Sequence, residues 1–184
     1  MDESTVHEYA ESFENNECTL HLFEVTHSDC LALEHFADAV LRDDFFFRKG
    51  HWLSLISDSR VRVLVARIQQ PGSNEWSEIL GVVVLYADSV LHNIFLARWC
   101  RGLGLGSAIV EAISPSSIRA KIDMSTGDPT GFYNRLGFTH EAERSGKRGQ
   151  IKVLTKVPGS TRTLNLKRKK RDGQDDSAVP PRDS

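Results

Sequence analysis

Arg101-Gly102-Leu103-Gly104-Leu105-Gly106-Ser107 is the stretch on which the fold turns. Upstream of it runs Val90 to Ala97, apolar enough for a strand; downstream, Leu105, Ile109, Val110 and Ile113 recur at helical spacing until Ser114-Pro115 ends the pattern. The glycines therefore lie at a strand-to-helix turn. There the first backbone N–H groups of the helix lack intrahelical partners, and the helix dipole adds about half a positive charge. Glycines let an anion approach that backbone without a Cβ in the way, and Arg101 and Ser107 add side-chain donors.

Several phosphate-binding turns share this chemistry. A P-loop requires Gly-Lys-Ser/Thr after its glycines, and no lysine stands here. A dinucleotide-binding turn wants a third glycine three positions after Gly104, where Ser107 stands, and comes early in its fold, whereas several strands precede this turn. A glycine-rich turn with no ligand is the plain alternative. Three alternating glycines weaken the start of a helix, however, and need a compensating gain.

Working outward, Thr19 to Val25 alternates as a half-buried strand, and Ser28 or Asp29 offers an N-cap to Leu31, Leu33, Phe36, Ala37, Val40 and Leu41 at helical spacing. Asp43 to Ser57 is a second helical region, broken by Gly50. Val61 to Arg67 and Glu78 to Ala87 form a hairpin around Gln70-Pro71-Gly72-Ser73-Asn74, and Asp88-Ser89 turns the chain into the strand before the glycines. Ile118 to Met124 is strand-like. Asp128-Pro129 marks the start of a short helix through Phe132, Tyr133 and Leu136, with Gly137 as its C′ residue. Phe138 and Gln150 to Val157 supply a last strand pair. The expected order is β-α-α-β-β-β-α-β-α-β-β, an α/β protein with a mixed sheet and helices on its faces.

Arg101-Gly102-Leu103-Gly104-Leu105-Gly106 resembles the Arg/Gln-x-x-Gly-x-Gly/Ala signature of the GNAT acetyltransferases, and Gly131-Phe132-Tyr133-Asn134-Arg135-Leu136-Gly137-Phe138 resembles their second hallmark, Phe-Tyr-x-x-x-Gly-Phe. Ile94 to Cys100 is similar to the family's fourth strand and the loop after it, without the proline frequent at the position of Arg98. The two motifs stand in the family's order and separation. The likeness covers residues 18–157, expected as one acetyltransferase domain, and leaves out an acidic leader, 1–17, and a basic-then-acidic tail, 158–184.

The resemblance implies acetyl-coenzyme A as donor substrate, with no metal. It implies that the pantetheine arm lies along the backbone of Phe95, Leu96 and Ala97, and that the diphosphate rests on Arg101, Gly102, Leu103, Gly104, Leu105, Gly106 and Ser107. An N–H near Leu96 would face the thioester carbonyl. Thr126 stands among the cofactor contacts where the family often has Asn, and Pro129 replaces a common Ala. Tyr133 takes the place of the acid that protonates the departing thiolate. His92 resembles in position a histidine of the arylalkylamine acetyltransferases and is the candidate base, with Glu78, Asp88 and Asp123 as alternatives. The implied activity is transfer of acetyl to a primary amine, small molecule or protein, by direct attack in a ternary complex. Two other functions share the motifs: a module that binds acyl-coenzyme A without turnover and acts through its tail, and a toxin that acetylates aminoacyl-tRNA.

Composition frames these expectations. The chain has 184 residues, 40% hydrophobic and 26% charged, and a net charge of −2, the profile of one ordinary soluble domain. The acidic start lacks a signal peptide's pattern, and no apolar run nears the roughly 20 residues of a membrane span. Cys18, Cys30 and Cys100 lack CxxC spacing, which fits reduced cytoplasmic thiols and no structural metal. Cys100, beside the signature, is either a small hydrophobe or a nucleophile. Phe45-Phe46-Phe47-Arg48-Lys49 and the basic loop from Arg144 to Gln150 are candidates for gripping an acceptor. Lys167-Arg168-Lys169-Lys170-Arg171 in the tail suits nucleic acid, or nuclear import in a eukaryotic host. A monomer or homodimer is expected.

Overall fold

The computed structural model describes residues 18–40, 51–122, 127–146 and 149–156. The leader, the tail with Lys167 to Arg171, the stretch Phe45 to Lys49, and Asp123, Thr126, Lys147 and Arg148 lie outside the described residues. In chain order the elements are β1 (Thr19–Glu24), a 3-10 turn (His27–Asp29), α1 (Cys30–Val40), α2 (His51–Ile56), β2 (Val61–Gln69), β3 (Gly81–Tyr86) and β4 (Val90–Leu96). A second 3-10 turn (Arg98–Cys100) leads to α3 (Leu105–Ile113), β5 (Ser117–Lys121), α4 (Thr130–Arg135), β6 (Phe138–Gly146) and β7 (Gly149–Lys156).

The strands form one seven-stranded sheet in the order β1-β2-β3-β4-β5-β7-β6. Every neighbouring pair is antiparallel except β4 and β5, which run parallel. Val82, Val83, Val84 and Leu85 of β3 are all buried, so this central strand is covered on both faces and reads as a continuous apolar run. Leu33 and Phe36 of α1, Trp52 of α2, and Leu105 and Ile109 of α3 join it in one core. Each such side chain contributes roughly 1.5–3 kcal/mol by leaving water. β5 alternates instead: Ile118 and Ala120 are buried, while Ser117, Arg119 and Lys121 are half-buried on the other side.

One local detail differs from the sequence expectations. The helical segment begins one turn earlier, because Thr26 caps the 3-10 turn and the Asp29 carboxylate returns to accept the Thr26 N–H at 2.8 Å. At the start of α4, Asp128 accepts the Thr130 N–H at 2.9 Å and is ion-paired with Lys152 of β7 at 2.8 Å. Lys152 and Thr130 together hold the Asp128 carboxyl down at about 2. That pair fastens the head of α4 to the sheet.

Gly81 sets how closely β4 can lie. It pairs with Leu96 in the register, and a Cβ built there would sit 2.7 Å from Leu96 Cδ2 and 2.9 Å from the Phe95 carbonyl oxygen. A side-chain tip moves at little cost, but a backbone oxygen moves only with its strand. Gly81→Ala is therefore expected to lose about 1–3 kcal/mol of stability, the usual cost of overpacking. Urea denaturation measures it, and an unchanged midpoint would contradict the close approach of β3 and β4.

Candidate active site

β4 and β5 pair at only two positions, Val90 with Ser117 and Leu91 with Ile118, and then part. A cleft of about 530 Å³ opens between them, reaching from His92 and Lys121 to the glycine turn and Tyr133. On its other side β4 stays bonded to β3, with one bulge: Val84 faces Asn93 and Leu85 faces Leu91, so His92 is the extra residue. At the far end of the strand the Ala97 N–H donates to the Leu80 carbonyl at 2.8 Å, and the Ala97 carbonyl accepts the Cys100 N–H at 3.2 Å. Ala97 thus has both backbone groups engaged. Backbone groups alternate along a strand, so those of Leu96 and Ile94 turn toward the gap.

The glycine turn is built to expose amides. Gly102 and Gly104 have φ of 85° and 88°, the left-handed region open to glycine at little cost. Gly104 caps α3 and accepts the Ala108 N–H at 3.0 Å. Among the described residues the N–H groups from Gly102 to Ser107 find no backbone acceptor, as expected at the head of a helix. Arg101 donates Nε–H to the Leu96 carbonyl at 3.1 Å and so joins turn to strand. A Cβ on Gly106 would press on Phe132 Cζ at 3.3 Å and Leu96 Cδ1 at 3.4 Å, which keeps α3 close against both.

Tyr133 is buried, with its ring 4.9 Å from that of Phe132, and it lines the cleft. Burial pushes its phenol up to about 12. The same cleft is lined by a polar group of which the sequence points to His92 but not to Asn93 or Lys121. His92 Nδ1 lies 2.9 Å from Asn93 Oδ1, Lys121 Nζ donates to Asn93 Oδ1 at 2.7 Å, and Lys121 Nζ lies 3.3 Å from His92 Nδ1. Burial and the Lys121 charge hold the His92 imidazole below its ordinary 6.5, and burial and the Arg119 charge bring the Lys121 ammonium down to about 8.

Of the residues expected at the site, His92, Phe95, Leu96, Arg101, Gly102, Gly104, Gly106, Ser107 and Tyr133 line the cleft. The side chains of Ala97 and Leu105 are buried in the core, and Leu103 packs on it. Phe132 packs against the core and also lines the cleft. Glu78 is exposed away from the cleft, and Asp88 pairs with Arg62 at 3.6 Å. The alternation of Arg119 and Lys121 with buried neighbours on β5 is the signal that would have found them. Cys100 is buried, with Sγ 3.1 Å from the Ala97 carbonyl it donates to; burial pushes its thiol up to about 11. That is a packed thiol, not a nucleophile. Among the described residues no group of His, Cys, Asp and Glu is placed to hold a metal, and no helix is long and apolar enough to cross a membrane.

Two measurements test this geometry. In native protein at pH 8, Cys100 is expected to react with a disulfide reagent far more slowly than in urea; equal rates would contradict its burial. Lys121→Met removes a positive charge beside His92, so the His92 imidazole should titrate at higher pH, as read by NMR. A fall, or no change, would contradict the contact.

Comparison with family models and with curated proteins gave no match. Solved structures do match. The GNAT domain of S. lividans PAT is 14% identical, with 75% of this chain and 90% of that chain covered and a TM-score of 0.55. AAC(6′)-Ib, solved in complex with paromomycin and acetyl-coenzyme A, is 14% identical, with 76% and 94% covered and a TM-score of 0.55. A structure described as histone acetyltransferase HPA2 and related acetyltransferase, from Corynebacterium glutamicum, is 15% identical, with 78% and 99% covered and a TM-score of 0.50. With its mixed seven-stranded sheet and its opening between the two parallel strands, the chain has the fold of the GNAT acetyltransferases.

Proposed function

We propose that this chain transfers an acetyl group from acetyl-coenzyme A to a primary amine, with both substrates held together in the cleft. The observation that carries the proposal is the early end of the β4–β5 pairing beside a turn of unpartnered amides. An unzipped strand edge suits an amide-bearing arm that adds to it as a short strand. Amides at a helix head suit a diphosphate. The residues fit the donor: N–H groups from Gly102 to Ser107 with the Arg101 guanidinium would hold the diphosphate, and the backbone of Ile94 and Leu96 would hold the arm. Ala97, with its N–H and carbonyl already bonded, would not. The bound donor supplies an activated acyl group.

The chain's own groups then handle protons and charge. The Leu96 N–H, fixed by the strand, is a preorganised donor for negative charge developing on an acyl oxygen. His92 is neutral at physiological pH, since its affinity for a proton is lowered. In the tautomer that donates Nδ1–H to Asn93 Oδ1, its Nε2 lone pair is left to accept the proton that the amine sheds. Tyr133 keeps its proton across the neutral range, because burial disfavours the phenolate, and gives it up when a thiolate develops charge beside it. Neither role needs a covalent intermediate on the protein, which agrees with the inert Cys100.

Isothermal titration with acetyl-coenzyme A and free-thiol release with an amine panel test the proposal. Saturable binding and acceptor-dependent thiol release are expected, with kcat lowered roughly 10²-fold or more in Tyr133→Phe, the usual worth of a positioned proton donor. Absence of binding removes the proposal. Full turnover in Tyr133→Phe removes the assigned acid.

A further inference from the structure

The cleft is cationic along its whole length. Among the described residues that line it stand Arg101, Arg119, Lys121 and Arg135, with His92, and no Asp or Glu. The cations divide between two ends. Arg101 belongs to the glycine turn and is bonded to Leu96. Arg119 and Lys121 lie on β5 beside His92, at the end where the strands close. From His92 to Leu96 the strand alone spans about 13 Å, so one diphosphate cannot account for both ends.

Arg119 is the notable member of the second group. Its guanidinium carbon lies 5.7 Å from the centre of the Tyr86 ring, on which Arg60 also stacks at 5.5 Å. No carboxylate pairs with Arg119 among the described residues, whereas the guanidiniums of Arg60, just before β2, and of Arg62 within it are ion-paired with Asp58 and with Glu24 and Asp88. Two residues along the same strand face stands another cation, Lys121, whose ammonium Arg119 helps to destabilise. Two half-buried like charges held on one strand face raise the free energy of an empty site, and an anion placed between them lowers it. The Tyr86 ring lies against the guanidinium, whose planar fork suits two parallel hydrogen bonds to an oxyacid.

We infer that the acceptor carries, besides its amine, an anionic oxyacid group, a carboxylate or a phosphate, and that Arg119 with Lys121 beside it forms the subsite for that group. The inference rests on the proposed acetyl transfer and adds the class of acceptor. An acid-bearing amine placed this way has its anion on β5 and its nitrogen toward His92 across the gap. A polycationic amine would meet three like-charged or protonatable groups, with no Asp or Glu among the described lining residues to receive it. Charge repulsion then selects against such acceptors as firmly as attraction selects for the acid.

The test uses matched acceptors that differ only in the acid: glycine with methylamine, phenylalanine with phenethylamine, and phosphoethanolamine with ethanolamine, read by thiol release from acetyl-coenzyme A with the full chain. At least one acid-bearing member is expected to exceed its partner tenfold or more in kcat/KM. The preference should collapse in Arg119→Gln and return in part in Arg119→Lys. The carboxylate and phosphate pairs distinguish the two oxyacids. Equal or reversed preference in every pair overturns the inference, and so does a preference that survives Arg119→Gln. The Arg119 Nε–H resonance in the acetyl-coenzyme A complex supplies a readout without turnover. A saturable shift with an acid-bearing member and not with its partner supports the subsite, and silence with all three acids overturns it. Failure of acetyl-coenzyme A to bind at all, seen separately by calorimetry, would strike the transferase proposal instead.

Discussion

Two adjacent parallel strands that share hydrogen bonds at two positions and then diverge are the constraint on which this site depends. A strand that loses its neighbour in mid-sheet leaves N–H and C=O groups without protein partners, and such groups are costly unless water or a ligand satisfies them. The fold tolerates this because β4 is secured elsewhere. Its other edge is bonded to β3 along its length, Gly81 allows the two to approach closely, and the Ala97–Leu80 hydrogen bond closes the end. The gap is then a rigid feature of a well-packed sheet. The head of α3 and the ring of Tyr133 are brought to it from elements that pack against the same core.

Inside the gap, burial sets the protonation states. The same low-dielectric surroundings that raise the Tyr133 phenol and the Cys100 thiol lower the His92 imidazole and the Lys121 ammonium. Each group is pushed toward its neutral form. For Tyr133 and His92, which both line the cleft, that favours a protonated phenol and a neutral imidazole near neutral pH. For a cysteine packed on carbonyls it yields an inert side chain. One physical cause thus acts on the groups of the cleft and on the thiol of the core alike.

Much of this was legible in the sequence, for reasons tied to particular residues. Strict punctuation by Ser114-Pro115, Asp128-Pro129 and Gly137 marked where helices start and stop, and the alternating glycines from 102 to 106 marked the strand-to-helix turn. What escaped was anything requiring knowledge of which strands separate. Arg119 and Lys121 look like the solvated face of an ordinary half-buried strand. Only the short β4–β5 pairing turns that face toward a cleft. The bulge at His92 likewise has no glycine or proline to announce it. Ala97 was assigned to the cofactor by its place in a motif, and its committed backbone groups became visible only with the 3-10 turn that follows it.

The sheet has a seam. Strands β1 to β4 form a meander in which each is paired with the next in sequence, and β5, β7 and β6 form a second antiparallel unit of their own. Among the described residues the two units are bonded to each other only at the two positions where β4 meets β5. The ligand cleft is the place where the two assemblies meet. A cleft at the join of two such units can vary in width and lining while the pairing inside each unit is kept.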